Sequence, residues 1–243
     1  MGRSTSDNGT PMSDTTLAAR GAAPAARLPR HHRASCPAGL QGRLKRALDV
    51  LGAATLLLLI LPILLPIALA IRADGGPILF RHARIGLGGR SFGCLKFRSM
   101  VTDADARLAR LLAEDPAAAA EWALRRKLPR DPRITRIGAF LRSTSLDELP
   151  QLLNVLRGEM SLVGPRPVVQ QELDQHYSQA AADAYCAMRP GITGLWQVSG
   201  RSDTTYAERV ALDTRYAREW SILLDLRILL RTIPAVLQRR GAV

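Results

Sequence analysis

Residues 50–71 read VLGAATLLLLILPILLPIALAI, 22 residues without a charge and with Thr55 as the sole hydroxyl. Hydropathy alone makes this a helix that crosses a bilayer. Pro62 and Pro66 argue for another course, because each removes a backbone hydrogen bond and crowds the carbonyl four residues earlier. A sharp bend at Leu61-Pro62 leaves arms of about 18 Å and about 15 Å at helical rise. Neither spans a hydrocarbon core of about 30 Å. Arg43, Lys45 and Arg46 precede the segment, and Arg72, Arg81 and Arg84 follow it. Basic flanks favour the cytoplasmic side, here at both ends. A re-entrant membrane helix hairpin over 43–73, bending at Leu61, Pro62 and Pro66, is therefore preferred to a kinked single span or a buried soluble helix. Carbonyls freed at the bend must find partners among neighbouring groups.

Outside this segment the composition sets bounds. The chain has 243 residues, enough for one good core plus a tail. Net charge is +13, which points to an anionic partner: nucleic acid, anionic lipid or a phosphorylated substrate. Lysine occurs only at 45, 96 and 127, so nearly all of the 34 basic residues are arginine. A GC-rich genome accounts for most of that skew, and bidentate phosphate recognition contributes. Cys36, Cys94 and Cys186 have neither paired spacing nor a His partner at ligand distance, as expected of loose or buried thiols in a reducing compartment. Residues 1–42 are rich in Ser, Thr, Ala, Gly, Pro and Arg without a periodic apolar face, the mark of a disordered basic tail.

After the membrane segment, 78–85 and 91–98 are expected as two strands around the turn Gly86-Leu87-Gly88-Gly89-Arg90. Lys96 and Arg98 then share one face at period two, as a phosphate clamp or as a solvated edge. Residues 103–127 are helical by pattern with a break at Asp115-Pro116, and 151–156 form a short helix stopped by Gly158. Trp196, after the turn 189–194, suits packing better than base stacking. Residues 222–237 are apolar apart from Asp225, Arg227 and Arg231. They fit an interfacial helix with snorkelling arginines as well as a buried one.

The chemistry concentrates in Ser145-Leu146-Asp147-Glu148-Leu149-Pro150-Gln151, followed by Gly164-Pro165-Arg166-Pro167. Arg133, Arg136 and Arg142 precede the acids, and Arg157 and Arg166 follow. Ser145 and Glu148 have the spacing of a capping box, which would place both carboxylates at a helix N-terminus for structural reasons. The crowd of guanidiniums favours a second reading. A carboxylate attacking a charged phosphorus is repelled unless cations neutralise both, and Asp is a nucleophile of that kind.

Several motifs in fixed order resemble one family. They are Lys96-Phe97-Arg98-Ser99-Met100, Asp131-Pro132-Arg133, residues 145–151, Asn154-Val155-Leu156, residues 160–167 and Pro190-Gly191-Ile192-Thr193-Gly194-Leu195-Trp196-Gln197. From about Arg43 onward the chain resembles the bacterial sugar transferases, the monotopic polyprenol-phosphate phosphoglycosyl transferases. It is most similar to those placing galactose-1-phosphate on undecaprenyl phosphate in succinoglycan-type exopolysaccharide synthesis. The resemblance implies an α+β fold: a re-entrant helix hairpin plus a small, mostly helical catalytic domain over 74–243, with a β-hairpin and interfacial amphipathic helices. It implies a UDP-sugar donor, undecaprenyl phosphate as acceptor and UMP as product. Mg²⁺ is the implied cofactor, and the implied location is the cytoplasmic face of the bacterial inner membrane. Asp147 is then the nucleophile and a metal ligand, and Glu148 assists it. Lys96, Arg98, Arg142, Arg166, Gln197 and Arg201 are expected to bind substrate. Downstream glycosyltransferases are conceivable partners, and nucleic acid is not expected. Leu61 departs from the family, which usually carries Ser before the bend proline.

Overall fold

The computed structural model describes residues 39–125, 128–200 and 204–237. Its first element, α1 (Gly39–Ala73), begins within the stretch expected to be tail and carries Pro62 and Pro66 inside it. The helix is unbroken through Leu61, so any change of direction there is a kink within a helix and not a loop between two. Pro62 and Pro66 cannot donate to the carbonyls of Leu58 and Pro62.

One stripe of α1 faces the rest of the protein along its whole length. Lys45, Asp49, Ala53, Leu64, Ile67 and Ile71 are buried, and Leu57 and Ile60 fill the gap between them. Steps of three and four residues put these on one helical face. The opposite face is apolar and bare: Leu40, Leu51, Leu58, Leu59, Leu65 and Leu69 are exposed. A surface of this kind excludes water only if something else covers it. α1 is also long and apolar enough to cross a membrane.

The polar start of the stripe is not a set of free headgroup contacts. Lys45 Nζ donates to Asp225 Oδ2 at 2.7 Å and to the Val163 carbonyl at 3.0 Å. Arg46 donates to the Val155 and Leu156 carbonyls at 2.7 and 3.0 Å. Asp49 accepts from Ser161 Oγ and from the Leu162 N–H, both at 2.9 Å. Two of the three cations that precede the apolar run thus hold the domain together. That weakens the charge argument for the orientation of this end.

β1 (Leu79–Ile85) and β2 (Ser91–Phe97) form the expected antiparallel hairpin, with Leu79 opposite Phe97 and Ile85 opposite Ser91. Gly88 and Gly89 in its turn have φ of 68° and 71°, which side chains resist. α2 (Ala104–Glu114) and α3 (Pro116–Arg125) break at Asp115 as expected. α4 (Arg136–Thr144) starts at Thr135, whose Oγ1 accepts from the Gly138 N–H at 2.9 Å. α5 (Gln151–Arg157) ends at Gly158, where φ is 82°. Then come β3 (Ser161–Val163), α6 (Gln170–His176), α7 (Gln179–Cys186) and β4 (Gly191–Thr193), with β3 and β4 paired in parallel. α8 (Tyr206–Glu219) opens with a capping box between Thr205 and Glu208.

α9 (Ile222–Leu237) has two faces. Asp225 and Ile228 are buried, while Leu223, Leu226, Leu230 and Ile233 are exposed in one band, with Arg227 and Arg231 exposed beside it. An outward apolar band edged by arginines is the pattern of an interfacial helix.

Asn154 sets the position of α5 against β2. Its fully buried amide donates to the Gly93 carbonyl at 2.8 Å and accepts from the Leu95 N–H at 2.9 Å, as a neighbouring strand would. The same Nδ2 donates to Glu159 at 2.7 Å. Asn154→Ala strands the two β2 groups in an apolar setting. Unfolding by heat or denaturant should show a loss of about 2–4 kcal/mol. A loss within about 0.5 kcal/mol would mean the amide does not carry the contact.

Candidate functional site

The site is built in the connection between α4 and α5. Ser145 ends α4 in the left-handed region, with φ 58° and ψ 16°, and is the only non-glycine residue with positive φ among the described residues. An L side chain there costs about 1 kcal/mol. The reversal brings Leu146–Glu148 round as one 3-10 turn, and Pro150 leads into α5. No capping box forms at Ser145. A capping serine needs extended backbone, and this one is left-handed because it closes the preceding helix. The carboxylates lie between two helices, and their partners come from elsewhere in the chain.

Lys96 on β2 supplies the cation. Its Nζ lies 2.6 Å from Glu148 Oε1 and 3.9 Å from Asp147 Oδ2. Asp147 is 9 % exposed, and Glu148 is partly open. Burial pushes the Asp147 carboxyl up, Lys96 pulls against that, and the charge on Glu148 adds to the rise. Burial also acts to raise Glu148, but the charge and hydrogen bond of Lys96 outweigh it and hold this carboxyl below its usual range. The pair is unequal: one acid is desolvated, and its neighbour is kept ionised by a lysine.

Arg166 is fixed by two glycine-rich turns clamped together. The Gly164 N–H donates to the Thr193 carbonyl at 2.9 Å, and the Gly191 N–H donates to the Pro165 carbonyl at 2.8 Å. A Cβ on Gly164 would strike the Arg189 carbonyl, so the backbones meet only because glycine is there. The Arg166 N–H donates to buried Asp213 at 3.4 Å, and its guanidinium lies 5.1 Å over the Trp196 ring. Arg166 and Glu148 feel each other's charge, and Arg142, in the last turn of α4, acts on Asp147. Gln197 is partly buried in the turn beside Trp196.

One expected binding residue does not join this group, and another cannot be placed in it. Arg98 is buried past the end of β2, where Nε donates to the Pro77 carbonyl and Nη2 to the Ile71 carbonyl, both at 2.8 Å. It caps the last turn of α1, so neither role considered for it, phosphate clamp or solvated edge, holds. Arg201 lies outside the described residues. Arg133 is likewise engaged, paired with Asp131 at 2.6 Å and 4.9 Å over Trp122. Sequence reasoning missed Asn154 and Asp213 as supports. A lone amide inside the apolar run Leu152–Leu156 is the signal that points to Asn154.

No group of three or more potential metal ligands occurs among the described residues. Mg²⁺ favours one or two carboxylates completed by substrate phosphates and water. Asp147 and Glu148 meet that need and offer no complete protein cage.

The family model described as bacterial sugar transferase matches residues 40–239. The chain belongs to that family. It is 50% identical over 226 residues to the exopolysaccharide production protein ExoY of Sinorhizobium fredii, covering 93% of this chain and 98% of the relative. It is 48% identical over 199 residues to the undecaprenyl-phosphate galactose phosphotransferase of Salmonella typhimurium, covering 82% of this chain and 41% of that one. It is 47% identical over 207 residues to the UDP-glucose:undecaprenyl-phosphate glucose-1-phosphate transferase of Caulobacter vibrioides, covering 82% of this chain and 71% of the relative. This sugar transferase is thus a phosphoglycosyl transferase enzyme of the exopolysaccharide type.

An ionised carboxylate is the form able to attack, so with Asp147 as the attacking group turnover should fall as pH drops through a midpoint above the ordinary Asp value. Lys96→Met removes the cation that opposes this rise. The acid limb of kcat/KM should then move to higher pH, along with a loss of rate. A limb that stays in place or moves down would sink the assignment of Lys96 to Asp147.

Proposed function

We propose that this enzyme moves a hexose-1-phosphate, galactose-1-phosphate first among candidates, from a UDP-sugar to undecaprenyl phosphate with release of UMP. The observation that carries the proposal is the desolvated Asp147 beside a Glu148 held ionised by Lys96. The Asp147 carboxylate attacks the phosphorus bearing the sugar. The bond from that phosphorus to the bridging oxygen breaks, UMP leaves, and the sugar phosphate is held as an aspartyl ester. A phosphate oxygen of undecaprenyl phosphate then attacks the same phosphorus, freeing Asp147 and yielding the lipid diphosphate sugar.

Each residue has a task set by charge. Lys96, Arg142 and Arg166 offset the repulsion between an anionic nucleophile and an anionic diphosphate. Glu148, kept ionised, orients Lys96, and with Asp147 it would hold Mg²⁺. When bound, the metal neutralises charge as UMP departs. Gln197, beside Trp196, is assigned to the sugar or nucleotide by the family resemblance alone.

The enzyme is proposed to sit on the cytoplasmic face of the inner membrane, α1 entering the lipid, kinking near Pro62 and returning. Both halves of α1 pack on one domain, the first against β3 and α5 and the second against Phe97 and Leu141, which supports both ends lying on one side. The bare band of α9 would rest at the same surface. Tags at residue 30 and at the C-terminus should both be reachable only from the cytoplasm, and protection of one from cytoplasmic reagent would indicate a true span.

The decisive experiment incubates the purified protein with undecaprenyl phosphate, Mg²⁺ and each UDP-sugar in turn, and measures UMP. UDP-galactose should give the fastest release. Asp147→Asn should lower release at least about 10³-fold and abolish the covalent adduct seen by mass spectrometry. Full activity in that variant would refute the mechanism.

A further inference from the structure

Around Trp196 and Tyr206 gathers a cluster of planar groups of which the mechanism above uses only Arg166. His176 stacks on Tyr206 with centroids 3.9 Å apart, and Arg209 lies 4.7 Å over Tyr206. Arg209 also lies 5.2 Å over Trp196, which carries Arg166. Arg209, in the first turn of α8, is 7 % exposed. Neither its Nε nor its Nη2 has a hydrogen-bond partner among the described residues, and the same holds for the Tyr206 hydroxyl.

Burying a guanidinium with unused donors is costly. The nearby acids do not repay it. Glu172 stands 3.9 Å from Arg209 Nη2, and it also serves Arg84 at 3.5 Å and the Val169 N–H at 3.1 Å. Asp213 faces Arg166 and Tyr177, and burial pushes its carboxyl up to about 7 against the pull of Arg209. Two guanidiniums against one indole, served by a distant and shared Glu172 and by an Asp213 whose carboxyl burial raises, form a site short of negative charge.

Building on the transferase reading, we propose that Arg209 binds the phosphate that stays with the nucleotide. Arg166 is among the charges that act most strongly on Glu148 and Arg209, its neighbour at Trp196, is not, so Arg209 is the cation farther from the acids. Arg166 therefore meets the phosphorus under attack, and Arg209 meets the phosphate that departs in UMP. Trp196 packs against both cations. It is not a platform for the base.

The test titrates UMP and uridine into the full-length protein in lipid nanodiscs by calorimetry. The wild type, Asp147→Asn, Arg209→Gln and Arg209→Lys are compared, with thermal unfolding of each. Arg209→Gln should weaken UMP binding about 10- to 100-fold and leave uridine binding unchanged. Arg209→Lys, which keeps the charge and loses the fork, should fall between. In turnover, Arg209→Gln should raise the KM for the UDP-sugar more than it lowers kcat. Equal UMP affinity in the wild type and in a folded Gln or Lys variant overturns the proposal but leaves the transferase reading intact. A wild type or Asp147→Asn protein that binds no UMP would instead sink the nucleotide reading itself.

Discussion

One ammonium shared by two adjacent carboxylates is the contact on which this site depends. Lys96 touches Glu148 and reaches Asp147, and without it two neighbouring acids in a partly dry pocket would compete for a proton. At the effective dielectric of a protein surface, two unit charges about 4 Å apart interact by about 4 kcal/mol. That is enough to decide which acid stays ionised. The lysine is useful only if β2 and the 3-10 turn hold a set distance. Asn154 sets it by pairing with β2 as a strand would, one residue from Lys96. A side-chain amide thus transmits the register of the hairpin to the acid pair.

α1 answers to two solvents at once. Its inner stripe begins with Lys45 and Asp49, bonded to β3 and α9, and continues as apolar rungs to Ile71. Its outer face is Leu and Ile, bare over most of its length. A helix joined by buried polar contacts at one end and hydrophobic packing at the other cannot leave the domain without stranding Lys45 and Asp225. Lipid contact and domain packing are therefore one structural event. The carbonyl that Lys45 holds belongs to Val163, next to Gly164-Pro165-Arg166, so the membrane helix also helps place a cation of the site.

Charge is arranged by function and not by abundance. Many arginines stand in this sequence, yet Arg98, Arg133 and Arg46 are engaged with backbone carbonyls or a nearby acid. Arg166 and Arg209 instead lie over the face of Trp196, and Nε and Nη2 of Arg209 have no hydrogen-bond partner among the described residues. The difference is chemical: a carbonyl or carboxylate uses the guanidinium's hydrogens, whereas a ring face uses only its plane.

Local covalent rules were enough to read the apolar helix with its two prolines, the hairpin around Gly86–Arg90, the break at Asp115-Pro116 and the stop at Gly158. Each follows from allowed φ, from a missing N–H or from periodicity within a few residues. The acid pair and the GPRP turn could also be picked out, because they stand in one short stretch. Which cation meets which acid could not. Lys96 and Glu148 are 52 positions apart, and Lys45 and Asp225 are 180. A chain's local preferences say nothing about contacts at that separation. Only folding decided that Ser145 would turn left-handed, that Arg98 would close a helix end, and that a buried asparagine would hold the lysine in place.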